Sequence, residues 1–103
     1  MAYKLRFVQR FEASHAKEFL DLEQQFARLE KEAEEFPKGR RYRPYIGGQP
    51  TNTLVWECEF ESLEGVAAVL KLLETDTRHD DLLQQQQKYI RDFYTEVYEL
   101  LDY

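Results

Sequence analysis

Residues 40–60 read RRYRPYIGGQPTNTLVWECEF. Aromatic and β-branched residues flank Gly47-Gly48-Gln49-Pro50-Thr51-Asn52, a segment with the composition of a loop. The stretch predicts a β-hairpin. In the register that separates its chemistry best, Arg43 faces Glu57, Arg41 faces Glu59 and Tyr45 faces Val55. On the other face Tyr42 meets Cys58, Pro44 meets Trp56 and Ile46 meets Leu54. One face is then ionic and compensated and the other apolar, and a slip of one residue would mix them. Pro44 has no N–H for a ladder, so its strand is expected to be an edge or to carry a bulge.

Helical patterns lie on both sides of the hairpin. From Ser14, the expected N-cap, to Glu35 the apolar residues Phe19, Leu22, Phe26, Leu29 and Ala33 fall three or four apart and form one stripe. Glu, Lys, Gln and Arg occupy the opposite face, and Phe36-Pro37-Lys38-Gly39 ends the helix. After the hairpin, Ser62 caps a helix whose stripe is Leu63, Val66, Ala67, Leu70 and Leu73. Asp76 or Thr77 caps a further helix through Leu82, Leu83 and the Gln84–Gln87 run, which reads as a solvated face. Tyr3 to Phe11 alternates, with Tyr3, Leu5, Phe7, Gln9 and Phe11 on one side and Lys4, Arg6, Val8 and Arg10 on the other, as in a strand buried on one face. Residues 89–103 fit two patterns: Ile90, Phe93, Val97 and Leu100 suit a helix, whereas Tyr94-Thr95-Glu96-Val97-Tyr98 alternates as a strand. A strand at about Tyr94–Leu101 is expected, because the order needs one to complete the sheet.

A length of 103 residues predicts a single domain over 1–103, and 43% hydrophobic residues suffice for one modest core. The net charge of −6 is unevenly spread. Residues 1–50 hold 10 basic and 8 acidic residues, net +2, and residues 51–103 hold 4 and 12, net −8. That balance argues against a nucleic-acid partner. Cys58 is the single cysteine, so an intramolecular disulfide is excluded, and a reducing, cytoplasmic setting is expected. The N-terminus interleaves charges with apolar residues, unlike a signal peptide, and no apolar run approaches a membrane span.

The order β-α-β-β-α-β is ferredoxin-like: a four-stranded antiparallel sheet with helices on one face. With one sheet face bare, it resembles the dimeric α/β-barrel superfamily, in which two such sheets close into a barrel. The segments GRRYRPYIGG, NTLVWECEFESLEGV, DTRHDDLL and TEVYELL resemble the NIPSNAP-like branch. The resemblance implies a homodimer. It spans enzymes and proteins without known activity, so it selects no reaction. In the haem-degrading members an Asn on the first strand, a Trp on the sheet and a His from the second helical region work together. The matching regions here hold Gln9, Trp56 and His79, with the Asn absent and the Trp-to-His spacing longer.

His79 is the best candidate for catalysis, because imidazole titrates near neutrality; the bland alternative is a surface residue in an acidic cluster. His79-Asp80-Asp81 lacks a second His, so no metal is assigned, and no cofactor is expected. Gln9, Tyr42, Trp56 and His79 are the candidate ligand-binding residues, with Trp56 also suited to fill the core. Cys58, without a neighbouring cation, reads as a structural thiol, and His15 as an exposed first-turn residue. Arg41, Arg43, Glu57 and Glu59 are assigned to a charged face that a twin molecule covers. Together these readings describe a homodimeric barrel protein that binds a small organic molecule. A cofactor-independent monooxygenase acting on an aromatic or polyketide-like substrate is the alternative, and haem degradation the less favoured one.

Overall fold

The computed structural model describes residues 2–103. Its elements are β1 (Tyr3–Phe11), a 3-10 turn (Ala13–His15), α1 (Ala16–Glu32), β2 (Arg40–Tyr42), β3 (Thr53–Phe60), α2 (Leu63–Thr75), α3 (Thr77–Gln87) and β4 (Ile90–Glu99). The strands run antiparallel in the order β2-β3-β1-β4, the ferredoxin-like arrangement. The segment 89–103 therefore holds the expected strand, which starts four residues earlier than its alternation suggested.

The pleat sets the two faces. Leu5, Phe7 and Gln9 of β1 stand opposite Cys58, Trp56 and Leu54 of β3, and opposite Val97, Thr95 and Phe93 of β4. This is the face the helices cover. Leu5, Trp56 and Val66 form one core cluster, and Phe11, Phe19 and Leu54 a second. Phe11 and Phe19, both fully buried, stack with centroids 4.5 Å apart. Complete burial of a side chain of this size contributes about 1.5–3 kcal/mol.

Ser62 caps α2 as expected, its hydroxyl accepting from the Gly65 N–H. Asp76 caps α3, accepting from the Arg78 and His79 N–H groups at 2.9 and 3.2 Å. Ser14 does not cap α1; it lies inside the 3-10 turn, and His15 occupies the cap position without a side-chain bond to the helix backbone. At its other end α1 stops at Glu32, where the Lys38 ammonium donates to the carbonyls of Glu30, Ala33 and Phe36. A cation there offsets the helix dipole and satisfies carbonyls that the ended helix leaves open.

The hairpin departs from its expected register. Arg40 pairs with Glu57, Arg41 with Trp56 and Tyr42 with Val55. β2 is a three-residue edge strand that ends before Pro44, and Tyr45 and Ile46 are almost fully exposed. The parity is therefore reversed on β2: Arg41 lies under the helices, and Tyr42 lies on the open face. The physical reason is the RRYR run. Three arginines in four residues put a cation near Glu57 in either parity, so charge pairing within the hairpin leaves the register undecided. Carboxylates on α1 decide it, by drawing Arg41 inward. Arg43 leaves the strand, and its Nε donates to the Thr51 carbonyl at 2.8 Å.

Glu57 and Glu59 do lie on the helix-free face, with Lys4, Arg6 and Arg10. Glu57 pairs with Lys4 at 3.3 Å and with Arg6 at 3.0 Å; Arg6 also reaches Glu96, and Arg10 reaches Asp92. Tyr42, Tyr94 and Tyr98 stand half-exposed on the same face.

Candidate functional site

Between the sheet and the three helices lies a cavity of about 250 Å³. Its walls include the aromatic rings of Phe7, Trp56 and Phe93 from the sheet, Phe26 from α1 and Phe36 after it, beside leucines from all three helices. Phe7 and Trp56 stack at 5.1 Å, and Phe7 and Phe93 meet at 5.8 Å. Three of the four expected ligand-binding residues, Gln9, Trp56 and His79, meet here; Tyr42 does not, because its strand parity turns it outward.

His79 enters from the first turn of α3. Because Asp76 takes the His79 and Arg78 N–H groups, the first turn is fixed and the imidazole is held over the cavity. Its ring lies 4.9 Å from Phe26 and 6.4 Å from Phe36. Nδ1 is sealed from solvent without a well-formed hydrogen bond, which leaves Nε2 as the ring nitrogen a bound molecule can reach. Burial pushes the His79 pKa below its ordinary value, and it outweighs the carboxylates of Asp76, Glu30 and Asp80, which act the other way. The imidazole is therefore neutral at neutral pH. Asp76 itself is held at about 2, mainly by its hydrogen bond to Arg78.

This lowered histidine gives a pH dependence of stability. The unfolded chain takes up a proton near the ordinary 6.5, and the folded chain resists it. Stability is thus fully present above that value and falls as pH drops below it. Urea midpoints measured from pH 7.5 to pH 5 should fall faster for the wild type than for His79→Asn; parallel curves would remove this account of the imidazole.

A buried ionic network forms the end of the cavity near β2. The Arg41 Nε donates to Glu23 at 2.6 Å, and its two terminal nitrogens donate to the two oxygens of Glu30. The Trp56 indole N–H donates to Glu30 at 3.2 Å, and the Gln86 amide donates to Glu23 at 2.9 Å. Burial opposes the charge on Arg41, but the hydrogen bond to Glu30 and the two carboxylates outweigh it, so the guanidinium stays protonated. Arg41 is therefore part of the site and has no place among the dimer-face charges. Gln86, expected on a solvated face, is fully buried.

The sequence reading missed this network, although a signal existed. Glu23 and Glu30 each follow a stripe residue, Phe19 and Phe26, by four positions, so all four share one face of α1. On α3, His79, Leu83 and Gln86 recur at spacings of four and three. Cys58 is half-buried, and burial, with Glu30 adding to it, raises its thiol pKa, as suits a structural role. His15 is half-exposed and bonds Glu18 at 2.9 Å.

A haem would fit these residues poorly. Its propionates would add negative charge to walls that already carry Glu23, Glu30 and Glu74, and the three nitrogens of Arg41 are all engaged.

The fold and the cavity place the chain among α+β proteins with a ferredoxin-like sheet, one face of it covered by helices. Solved structures of this shape include a NIPSNAP family protein from Agrobacterium tumefaciens, with a TM-score of 0.80 and 14% identity over 100% of this chain and 96% of that one. A NIPSNAP-like domain protein from Burkholderia xenovorans has a TM-score of 0.78 and 14% identity over 99% and 87%. A provisionally named antibiotic biosynthesis monooxygenase from Caulobacter crescentus has a TM-score of 0.75 and 11% identity over 98% and 91%. At such identities the likeness is one of fold. No model of a protein family matches the sequence, and no curated protein matches it. No helix among the described residues is long and apolar enough to cross a membrane.

Proposed function

We propose that this chain is a homodimeric α/β-barrel protein that binds a small organic molecule between its sheet and its helices. The observation that carries the reading is the open space itself. A cavity of about 250 Å³, walled by aromatic rings and reached by a neutral histidine, is a better container than a core. Trp56 is the single tryptophan, so its one indole N–H resonance reports on the cavity wall. Titration with 2-phenylethanol, phenethylamine and 3-phenylpropanoate should give a saturable shift of that resonance with at least one of them. Leu73→Phe, which fills the cavity, should abolish it. No shift with any of the three would end the reading.

The homodimer is supported by the helix-free face, where paired charges and three half-exposed tyrosines await cover. Sedimentation should give about twice the 12.4 kDa of one chain. Glu57→Lys should weaken assembly about tenfold, since it leaves three cations together where Lys4 and Arg6 now share one carboxylate. A monomer at micromolar concentration, or unchanged assembly in the variant, would contradict this.

A second reading, a cofactor-independent monooxygenase on an aromatic substrate, is favoured by His79 alone. A neutral, half-buried imidazole at a cavity wall can accept a proton from a bound acidic C–H or O–H. Oxygen uptake with an acidic polycyclic ketone, lost in His79→Asn while binding persists, would support it; no uptake would remove it.

A further inference from the structure

The charges around the cavity do not balance. Glu23 and Glu30 from α1 and Glu74 from α2 line it, and Arg41 is the one full cation among the described lining residues. Each of Arg41's three side-chain nitrogens already donates to one of two carboxylates. Asp76 and Asp80 add negative charge beside His79, and the partner of Asp76, Arg78, is shared with Glu35. An anion entering this space would meet like charge, and the charge of the one guanidinium is already shared between two carboxylates.

Two buried polar side chains keep an oxygen without a donor; that of Gln86 is sealed from solvent, and Gln9 lines the cavity. Gln9, 7% exposed, places its amide in the cavity without a hydrogen bond to any described residue. Gln86, 0% exposed, gives both its amide hydrogens to Phe19 and Glu23 and leaves Oε1 without a donor. Around them stand the rings of Phe7, Phe26, Phe36 and Trp56, whose faces carry the negative side of the aromatic quadrupole.

From this we infer that the cavity selects an organic cation: a protonated amine on an apolar body about the size of one ring, in preference to a neutral or anionic molecule of the same shape. The amine's N–H groups would meet the vacant acceptor of Gln9, its charge would offset part of the surplus of two carboxylates, and its apolar body would lie among the rings. The inference rests on the ligand-binding reading above and deepens it by naming the ligand class; it is independent of the oxidative reading.

The test ranks the same three probes on the wild-type chain near pH 7.5, where the amine is charged. Phenethylamine should bind at least about tenfold more tightly than 2-phenylethanol, and 3-phenylpropanoate should be the weakest, which is the order a negatively charged wall predicts. Glu74 is exposed, so Glu74→Lys keeps the fold and reverses one wall charge; the amine's advantage over the alcohol should shrink severalfold. Equal binding of amine and alcohol, or tightest binding of the carboxylate, overturns the cation preference and leaves the ligand site standing. Silence from all three probes removes both. An amine advantage that Glu74→Lys leaves intact also overturns the inference, because the wall charges would then not be its source.

Discussion

An alanine at position 39 should destabilise the protein by roughly 2–3 kcal/mol, the upper range for forcing a methyl group into packed space. A Cβ on Gly39 would stand 2.1 Å from Cε2 and 2.2 Å from Nε1 of Trp56. Trp56 cannot yield freely: it is buried, stacked on Phe7, and donates its N–H to Glu30. Displacement would carry the indole toward the cavity and break its bond to Glu30. The variant should therefore show a lower urea midpoint, a shifted indole N–H resonance and weaker probe binding, all from one change. Gly48→Ala is the control, since its Cβ would meet nothing within 4 Å. If the two variants unfold alike, the indole does not lie against the Gly39 backbone, and Trp56 does not form that wall of the cavity.

How much of this architecture could be read from the chain differs by element, for physical reasons. β1 was legible because its period of two meets a single sharp boundary: helices on one side, none on the other. The stripe of α1 was legible for the same reason and that of α2 in part, since Leu63 and Ala67 of the expected stripe lie exposed. The cap at Ser62, and Asp76 as one of two candidates, were legible because a short polar side chain before an apolar run often caps, although Ser14 does not. β2 was not. Its face is chosen by Glu23 and Glu30, which lie on another element, and no pattern internal to the hairpin carries that information. Pro44 did mark the edge strand, yet it could not say that pairing would stop short of it.

The site was half legible. Trp56 and His79 announce themselves by residue type, and Gln9 entered through a family resemblance. Glu23, Glu30 and Gln86 were hidden because a charged or amide residue in a helix is ordinarily solvated, so its phase with the apolar stripe is discounted. Their burial follows from Arg41. A lone carboxylate would be excluded from such a place, whereas two carboxylates with one guanidinium and further donors from Trp56 and Gln86 can be held there.

That dependence yields the largest effect expected of any single substitution. Arg41→Met keeps most of the side chain's length and removes the cation, leaving Glu23 and Glu30 close together and largely shut from water. Breaking a buried ion pair from one side costs about 3–5 kcal/mol, mostly as the penalty on the charge left behind. Arg40→Met, on the exposed neighbour that faces away from the helices, should cost under about 1 kcal/mol. The Arg41 deficit should also depend on pH. Protonating either glutamate relieves the repulsion, so the gap between variant and wild type should narrow as pH falls from about 7 to about 4. Replacing the group together, as Arg41→Met with Glu23→Leu and Glu30→Gln, should recover most of the loss, because no charge is then stranded and the Trp56 N–H keeps an acceptor. Urea denaturation of the four proteins across that pH range decides it. A small, pH-independent loss in Arg41→Met would mean that water reaches these carboxylates, and the negative cavity on which the cation preference depends would be an exposed surface instead.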